Sequence, residues 1–354
     1  MSKIVIFILL ILSLVLIGGV LGYSYYNSSL DKSFSLDEDK IFTVEPGDSV
    51  ETILDNLQKE GIIKNKQVLM IYLKLKPEIA PNFKAGRFII DKDSNLLKLT
   101  EILQDASTNR DDTPILIQEG LRYDEIAGLL EIAYSAIPES KFVTSEYISI
   151  AENPDNYEFS PNVASFLSDN KPTSRNLEGF LYPDTYYFAK TATAKDVVEK
   201  QITTLSEKIS SDVYAELENN DYSLYEHLII ASMIEREAFS SEEKADIADV
   251  IFKRLENGVE GVKLLQIDAT LLYQAKDWKA NPFLIKDTDG PYNTYKRTGL
   301  PPTPISNPGI DSLLASLYPN SNNYYFYLHD SDGNIHFAAN ASEHNSNVRK
   351  YINN

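Results

Sequence analysis

Leu228-Ile-Ile-Ala-Ser-Met-Ile-Glu-Arg-Glu-Ala238 is an apolar run that closes on two carboxylates. Read as a helix, it places each residue on one face with its neighbours three, four and seven positions back. For Glu237 those neighbours are Ile234, Met233 and Ile230. A carboxyl group held against apolar side chains loses hydration of its charged form, so its pKa rises. It can then serve as a general acid near neutral pH. The competing reading is a Glu at the fraying end of a core helix, satisfied by a nearby Arg or by water.

Working outward from this helix, the N-terminus comes first. No charge follows Lys3 until Asp31, and residues 4–20 are almost all Ile, Leu, Val and Phe. Such a run is long enough to cross a hydrocarbon core of about 30 Å. Tyr23, Tyr25 and Tyr26 follow where an interfacial aromatic belt would lie. A cleaved signal peptide would have a shorter apolar core and a small-x-small site, which Val20-Leu21-Gly22 matches poorly. The sequence therefore predicts a signal-anchor over 4–26 after a cytoplasmic tail at 1–3. The N-terminus lies inside and the body outside the cytoplasm.

Composition restricts the chemistry. The 354 residues are 43% hydrophobic and include 22 Tyr, a quantity consistent with a folded body. Without Cys there is neither a disulfide framework nor a thiol nucleophile. His227, His329, His336 and His344 have no close metal-ligand spacing. A net charge of −19 argues against nucleic acid as a partner.

The expected order is a linker at 27–40, a small α+β domain at 41–106 and a larger mixed α+β domain at 107–354. In the small domain, Ile41 to Val44 reads as a strand and Ser49 as a helix N-cap. Val50, Ile53, Leu54 and Leu57 have helical spacing, which Gly61 ends. A second helix is expected over 66–75, a strand over 83–90 and a third helix over 94–104. A β-turn-α unit opening Pro-Gly-Asp-Ser resembles the LysM glycan-binding modules, although the insert before the closing strand is long. The plainer alternative is a small domain that only orients the body.

In the larger domain a strand is expected over 114–118 and helices from Tyr123, over 194–209 and over 241–256. The alternation in Leu264-Leu-Gln-Ile-Asp-Ala-Thr270 would place Gln266, Asp268 and Thr270 on one side of an extended segment. Tyr292-Asn-Thr-Tyr295 precedes Gly299-Leu-Pro-Pro302, whose prolines stiffen the path. Tyr324 to Leu328 and Ile335 to Phe337 flank a turn at Asp330-Ser-Asp-Gly333, a hairpin pattern. Tyr, Asn and Gln on rigid loops suit sugars, since rings stack on pyranose faces and amides bond hydroxyl and acetamido groups.

Several stretches together carry a specific resemblance. Ala231-Ser-Met-Ile-Glu-Arg-Glu237, Asp249-Val-Ile-Phe-Lys-Arg-Leu255, Leu265-Gln-Ile-Asp268, Tyr292-Asn-Thr-Tyr295, Gly299-Leu-Pro-Pro302 and Ser342-Glu-His-Asn345 occur in one order. So does Leu177-Glu-Gly-Phe-Leu-Tyr-Pro-Asp-Thr185. The set resembles the endolytic murein transglycosylases, the MltG or YceG-like family, over nearly the whole chain. Thr303 after the two prolines and Glu343 before His344 depart from the family pattern.

The resemblance implies Glu237 as the catalytic acid, assisted by Tyr295 or Tyr292. Gln266, Asp268, Asn293 and Asn345 are then candidate substrate contacts. Glu235 is the alternative catalytic carboxylate, but it lies about 200° around a helix from Glu237, so both cannot face one substrate. The implied reaction cleaves between N-acetylmuramic acid and N-acetylglucosamine in nascent glycan strands and leaves 1,6-anhydro ends, with no metal or cofactor. Implied partners are peptidoglycan strands, membrane lipid around the single span, and peptidoglycan synthases. Two rival readings are a wall-binding protein without activity and a muramidase-type hydrolase, for which Asp268 is the best second carboxylate.

Overall fold

The structure is a computed structural model that describes residues 3–352, apart from 35, 38, 46, 106–112, 138 and 139. Residues 106–112, at the expected boundary between the two domains, lie outside the described residues. In chain order the first elements are α1 (Lys3–Asp31), β1 (Lys40–Val44), α2 (Val50–Lys59), α3 (Lys66–Leu75), β2 (Gly86–Ile90) and α4 (Leu96–Gln104). Next come β3 (Thr113–Leu116), α5 (Tyr123–Ser135), α6 (Thr144–Glu152), α7 (Pro161–Asn170), β4 (Thr185–Phe188), α8 (Ala194–Lys208) and α9 (Ser211–Glu218). The chain closes with α10 (Leu224–Glu237), α11 (Ser241–Glu256), α12 (Asp268–Ala275), α13 (Pro282–Ile285), α14 (Ile310–Leu317), β5 (Phe326–His329), β6 (Ile335–Ala338) and α15 (Ala341–Tyr351). The fold class is α+β. The strands pair two by two, β1 with β2, β3 with β4 and β5 with β6.

The chain divides into one unit of residues 1–114 with 187–190 and another of 115–186 with 191–354. In the first unit β1 and β2 run antiparallel, with Phe42 opposite Phe88. Both rings are fully buried, and Ile53, Leu54 and Leu57 of α2 and Leu69 of α3 complete the core. Each such side chain contributes roughly 2 kcal/mol by leaving water. Ser49 caps α2 by accepting from the Thr52 N–H at 3.1 Å, and Gly61 ends that helical segment with φ +70°.

The predicted strand over 83–90 is shorter than expected. Residues 80–82 form a 3₁₀ turn with a proline in its first positions, so pairing begins only at Gly86.

Helix α1 runs through the expected anchor and beyond it, to Asp31. Leu16 and Leu21 on it are well exposed. Among the described residues no helix is long and apolar enough to cross a membrane. The side chains of 3–11, 14 and 15, more than half of the apolar run, lie outside the described residues.

In the second unit α10 is buried along nearly its whole length and packs on α11 and α14. Its start is held by a capping box between Ser223 and Glu226. Its far end delivers Glu237.

Candidate active site

The last residue of α10 opens onto a groove of about 740 Å³ in the second unit. Its walls come from the segment leading into α12, the loop carrying α13, the β5–β6 hairpin and α15. Glu237 lies at its base, partly exposed, with its carboxyl surrounded by protein. Loss of hydration is the largest influence and pushes that carboxyl up to about 7. The Tyr327 hydroxyl donates to Glu237 Oε2 at 3.1 Å and pulls the other way. The charge on Asp268 raises the pKa, and the Ala269 N–H and the Arg236 charge lower it. The carboxyl thus stands where the carbonyl end of α10 meets the amide end of α12, whose opposed dipoles favour the acid and the anion respectively.

Glu235 has a different setting. Its carboxylate pairs with Lys244 at 3.3 Å, accepts from the Gly309 N–H at 3.0 Å and accepts from Ser312 Oγ at 2.7 Å. It lines a separate pocket with Glu119 and Lys208. These bonds tie the end of α10 to α11 and α14.

Asp268 and Tyr295 join Glu237 in the groove, where Tyr295 Oη donates to Asp268 Oδ1 at 2.6 Å. Gln266 lines the groove too, with φ +56°, in the left-handed region that side chains rarely adopt. Its N–H donates to Thr294 O at 3.1 Å, and the Ile267 N–H donates to Thr294 Oγ1 at 3.0 Å. This bend ends the extended segment earlier than its alternation suggests, and α12 starts at Asp268. Thr270 consequently points inward, its hydroxyl donating to Ile267 O at 2.7 Å.

Three other expected site residues are placed elsewhere. Tyr292 lies in a second pocket, its ring 4.9 Å from that of Tyr273 and its hydroxyl 2.8 Å from Thr303 Oγ1. The unusual Thr303 is therefore Tyr292's partner. Asn293 is fully buried and its amide is used within the loop. Nδ2 donates to Lys286 O at 2.8 Å and Thr288 O at 2.6 Å, and Oδ1 accepts from the Tyr295 N–H at 2.9 Å. Asn345 is exposed on α15, one position beyond the groove-lining His344. The other departure, Glu343, helps start α15: it accepts from the Ala339 N–H at 2.9 Å and from Asn340 Nδ2 at 2.8 Å.

Sequence reasoning missed Tyr327, Arg254 and His344 as site residues. Arg254 Nε donates to Tyr325 O at 2.8 Å and its Nη1 to Leu265 O at 2.5 Å, joining the hairpin to the approach of α12. The ring of His344 stacks on Phe326 at 5.1 Å, and burial, aided by the Arg254 charge, lowers its pKa. The hairpin pattern was the available signal for Tyr327, and all four residues of β5, Phe326 to His329, line the groove.

Comparison with known proteins agrees with this architecture. The YceG-like family model matches residues 42–350. A protein named endolytic murein transglycosylase from Bacillus subtilis (strain 168) is 32% identical, covering 87% of this chain and 84% of its own. One of the same name from Streptococcus pneumoniae serotype 2 (strain D39 / NCTC 7466) is 29% identical over 99% of this chain, which spans 65% of that relative. A crystal structure of a yceG-like protein from Listeria monocytogenes superimposes with a TM-score of 0.57 at 28% identity, covering 87% of this chain and 99% of that one. The chain belongs to the YceG-like family.

Proposed function

We propose that the protein is an endolytic murein transglycosylase, with Glu237 as its acid and base. The observation that carries the site assignment is a carboxyl group raised to about 7, set in an open groove of about 740 Å³ and bonded by Tyr327. Glu237 gives its proton to the glycosidic oxygen as the bond to the muramic acid anomeric carbon breaks. Positive charge developing at that carbon is shared with the sugar's own acetamido group. The resulting Glu237 carboxylate is held by the Tyr327 hydroxyl and the Ala269 N–H. It then takes the proton of the C6 hydroxyl, whose oxygen closes onto the anomeric carbon. Tyr295 acts by fixing Asp268 beside the reacting sugar.

Helix α1 is the membrane anchor in this reading, supported by the uncharged apolar run over 4–20 and the outward-facing Leu12, Leu16 and Leu21. It tethers the body outside the cytoplasm near newly made strands and their synthases. The small unit, with its β1-α2-α3-β2 order, is a LysM-like contact for glycan.

The test is mass spectrometry of uncrosslinked glycan strands digested by the full chain in detergent. Internal fragments with 1,6-anhydro ends are expected. Ends heavier by one water would establish a hydrolase and give Asp268 the role of base, while intact but retained strands would establish a wall-binding protein. Tyr327→Phe removes a bond that lowers the Glu237 pKa. The alkaline limb of kcat/KM should therefore move to higher pH, with about a tenfold loss of rate. A limb that stays in place would remove Tyr327 from the site.

A further inference from the structure

One wall of the groove is unlike the others. Phe283 and Leu284, neighbours on α13, are each 81% exposed, more than any other large apolar residue among those described. Phe283 lines the groove together with Lys286, Asp287 and Lys296 from the same loop, and Lys296 Nζ donates to Asp287 O. From Lys276 to Arg297 the loop carries five cations against three carboxylates, within a chain of net charge −19. Its backbone is fixed although its side chains are open. Asn281 Oδ1 accepts from the Phe283 N–H at 3.0 Å, and the buried Asn293 amide grips Lys286 O and Thr288 O. Lys286 Nζ stands 5.4 Å from the centre of the Tyr295 ring, so this wall reaches the reacting centre. Exposed apolar groups presented rigidly beside ammonium groups suit a ligand that is part apolar and part anionic.

We infer that this wall, centred on Phe283 and Lys286, is a subsite for the peptide stem of the glycan, an inference that rests on the proposed function. Muramic acid bears the stem on its lactyl arm, and muramic acid is the sugar whose anomeric carbon reacts beside Glu237. The stem must therefore leave the groove close to the reacting centre. Phe283 offers contact to alanine methyl groups, while Lys286 and Lys296 attract the stem's carboxylates. The wall selects strands that still carry peptides over strands stripped of them.

Binding tests this without requiring turnover. Full-length Glu237→Gln protein is titrated with uncrosslinked strands carrying pentapeptide stems and with the same strands after an amidase has removed the stems. Stem-bearing strands are expected to bind about tenfold tighter, and Phe283→Ser and Lys286→Ala, added together, to reduce that preference to about twofold. Both positions are exposed, and unchanged melting would establish that the variants fold. Equal affinity for the two strands would overturn the subsite, as would a preference that survives both substitutions. Cleavage by the unaltered chain is measured alongside. Intact strands with a retained stem preference would sink the transglycosylase reading and leave the subsite standing.

Discussion

Glu237→Gln is expected to lower glycan cleavage by about 10³-fold while leaving the melting temperature nearly unchanged. Gln has the same shape, and its carbonyl oxygen can still accept from the Tyr327 hydroxyl and the Ala269 N–H that Glu237 engages. What it lacks is the proton to give and the basicity to take one back. The pH dependence is a second mark of the same group. Only the protonated form can act first, so kcat/KM should fall as pH rises through about 7, the value to which burial brings this carboxyl. Glu235→Gln, by contrast, weakens the pair with Lys244 and should lower stability with little change in that alkaline limb. Release of 1,6-anhydro ends, followed by mass spectrometry across pH 5–9, separates the two. Full activity in Glu237→Gln would sink the assignment.

Glu178→Ala should destabilise the second unit by about 3–5 kcal/mol, a loss of roughly 10 °C in melting temperature. Glu178 is fully buried and accepts from the Tyr123 N–H at 3.1 Å, Asn307 Nδ2 at 2.8 Å and the Tyr273 hydroxyl at 3.2 Å. Truncation leaves three buried donors without an acceptor and opens a cavity. Glu178→Gln should cost no more than about 1 kcal/mol. Its carbonyl serves the two N–H donors, and its amide donates to the Tyr273 oxygen.

Burial also pushes the Glu178 carboxyl up to about 8 from an ordinary 4.5. The folded state holds this proton where the unfolded chain has released it. Stability from this group is complete below about 4.5, declines as pH rises, and is gone above about 8. Denaturant melts at pH 5 and pH 8 should show that decline in the unaltered protein and a smaller one in Glu178→Gln, where the raised Glu237 carboxyl still contributes.

Local pattern made much of this fold readable. The helices over 50–59, 66–75 and 241–256 follow from caps and periodicity that act within a few residues. Glu237 was legible for the same reason, since its apolar neighbours lie on its own helix. Residues whose role depends on distant chain were not. Tyr327 meets Glu237 across 90 positions of sequence. Asn293 resembles a sugar-binding amide until the loop closes around it and uses both ends of the group. Thr270 follows the strand-like alternation, but a left-handed bend at Gln266 starts a helix and turns it inward. Tyr292 and Tyr295 are three apart in one motif, yet they serve different pockets because the chain turns between them.

The anchoring of α10 through Glu235 has an evolutionary side. Its bonds to Lys244, Gly309 and Ser312 fix the end of the helix to the interior, whereas Phe283 and Lys286 ride on a loop. Mutations in that loop can therefore accumulate without moving the Glu237 carboxyl. On the proposed reading, preference for the peptide stem can change in that loop while the acid stays where the core holds it.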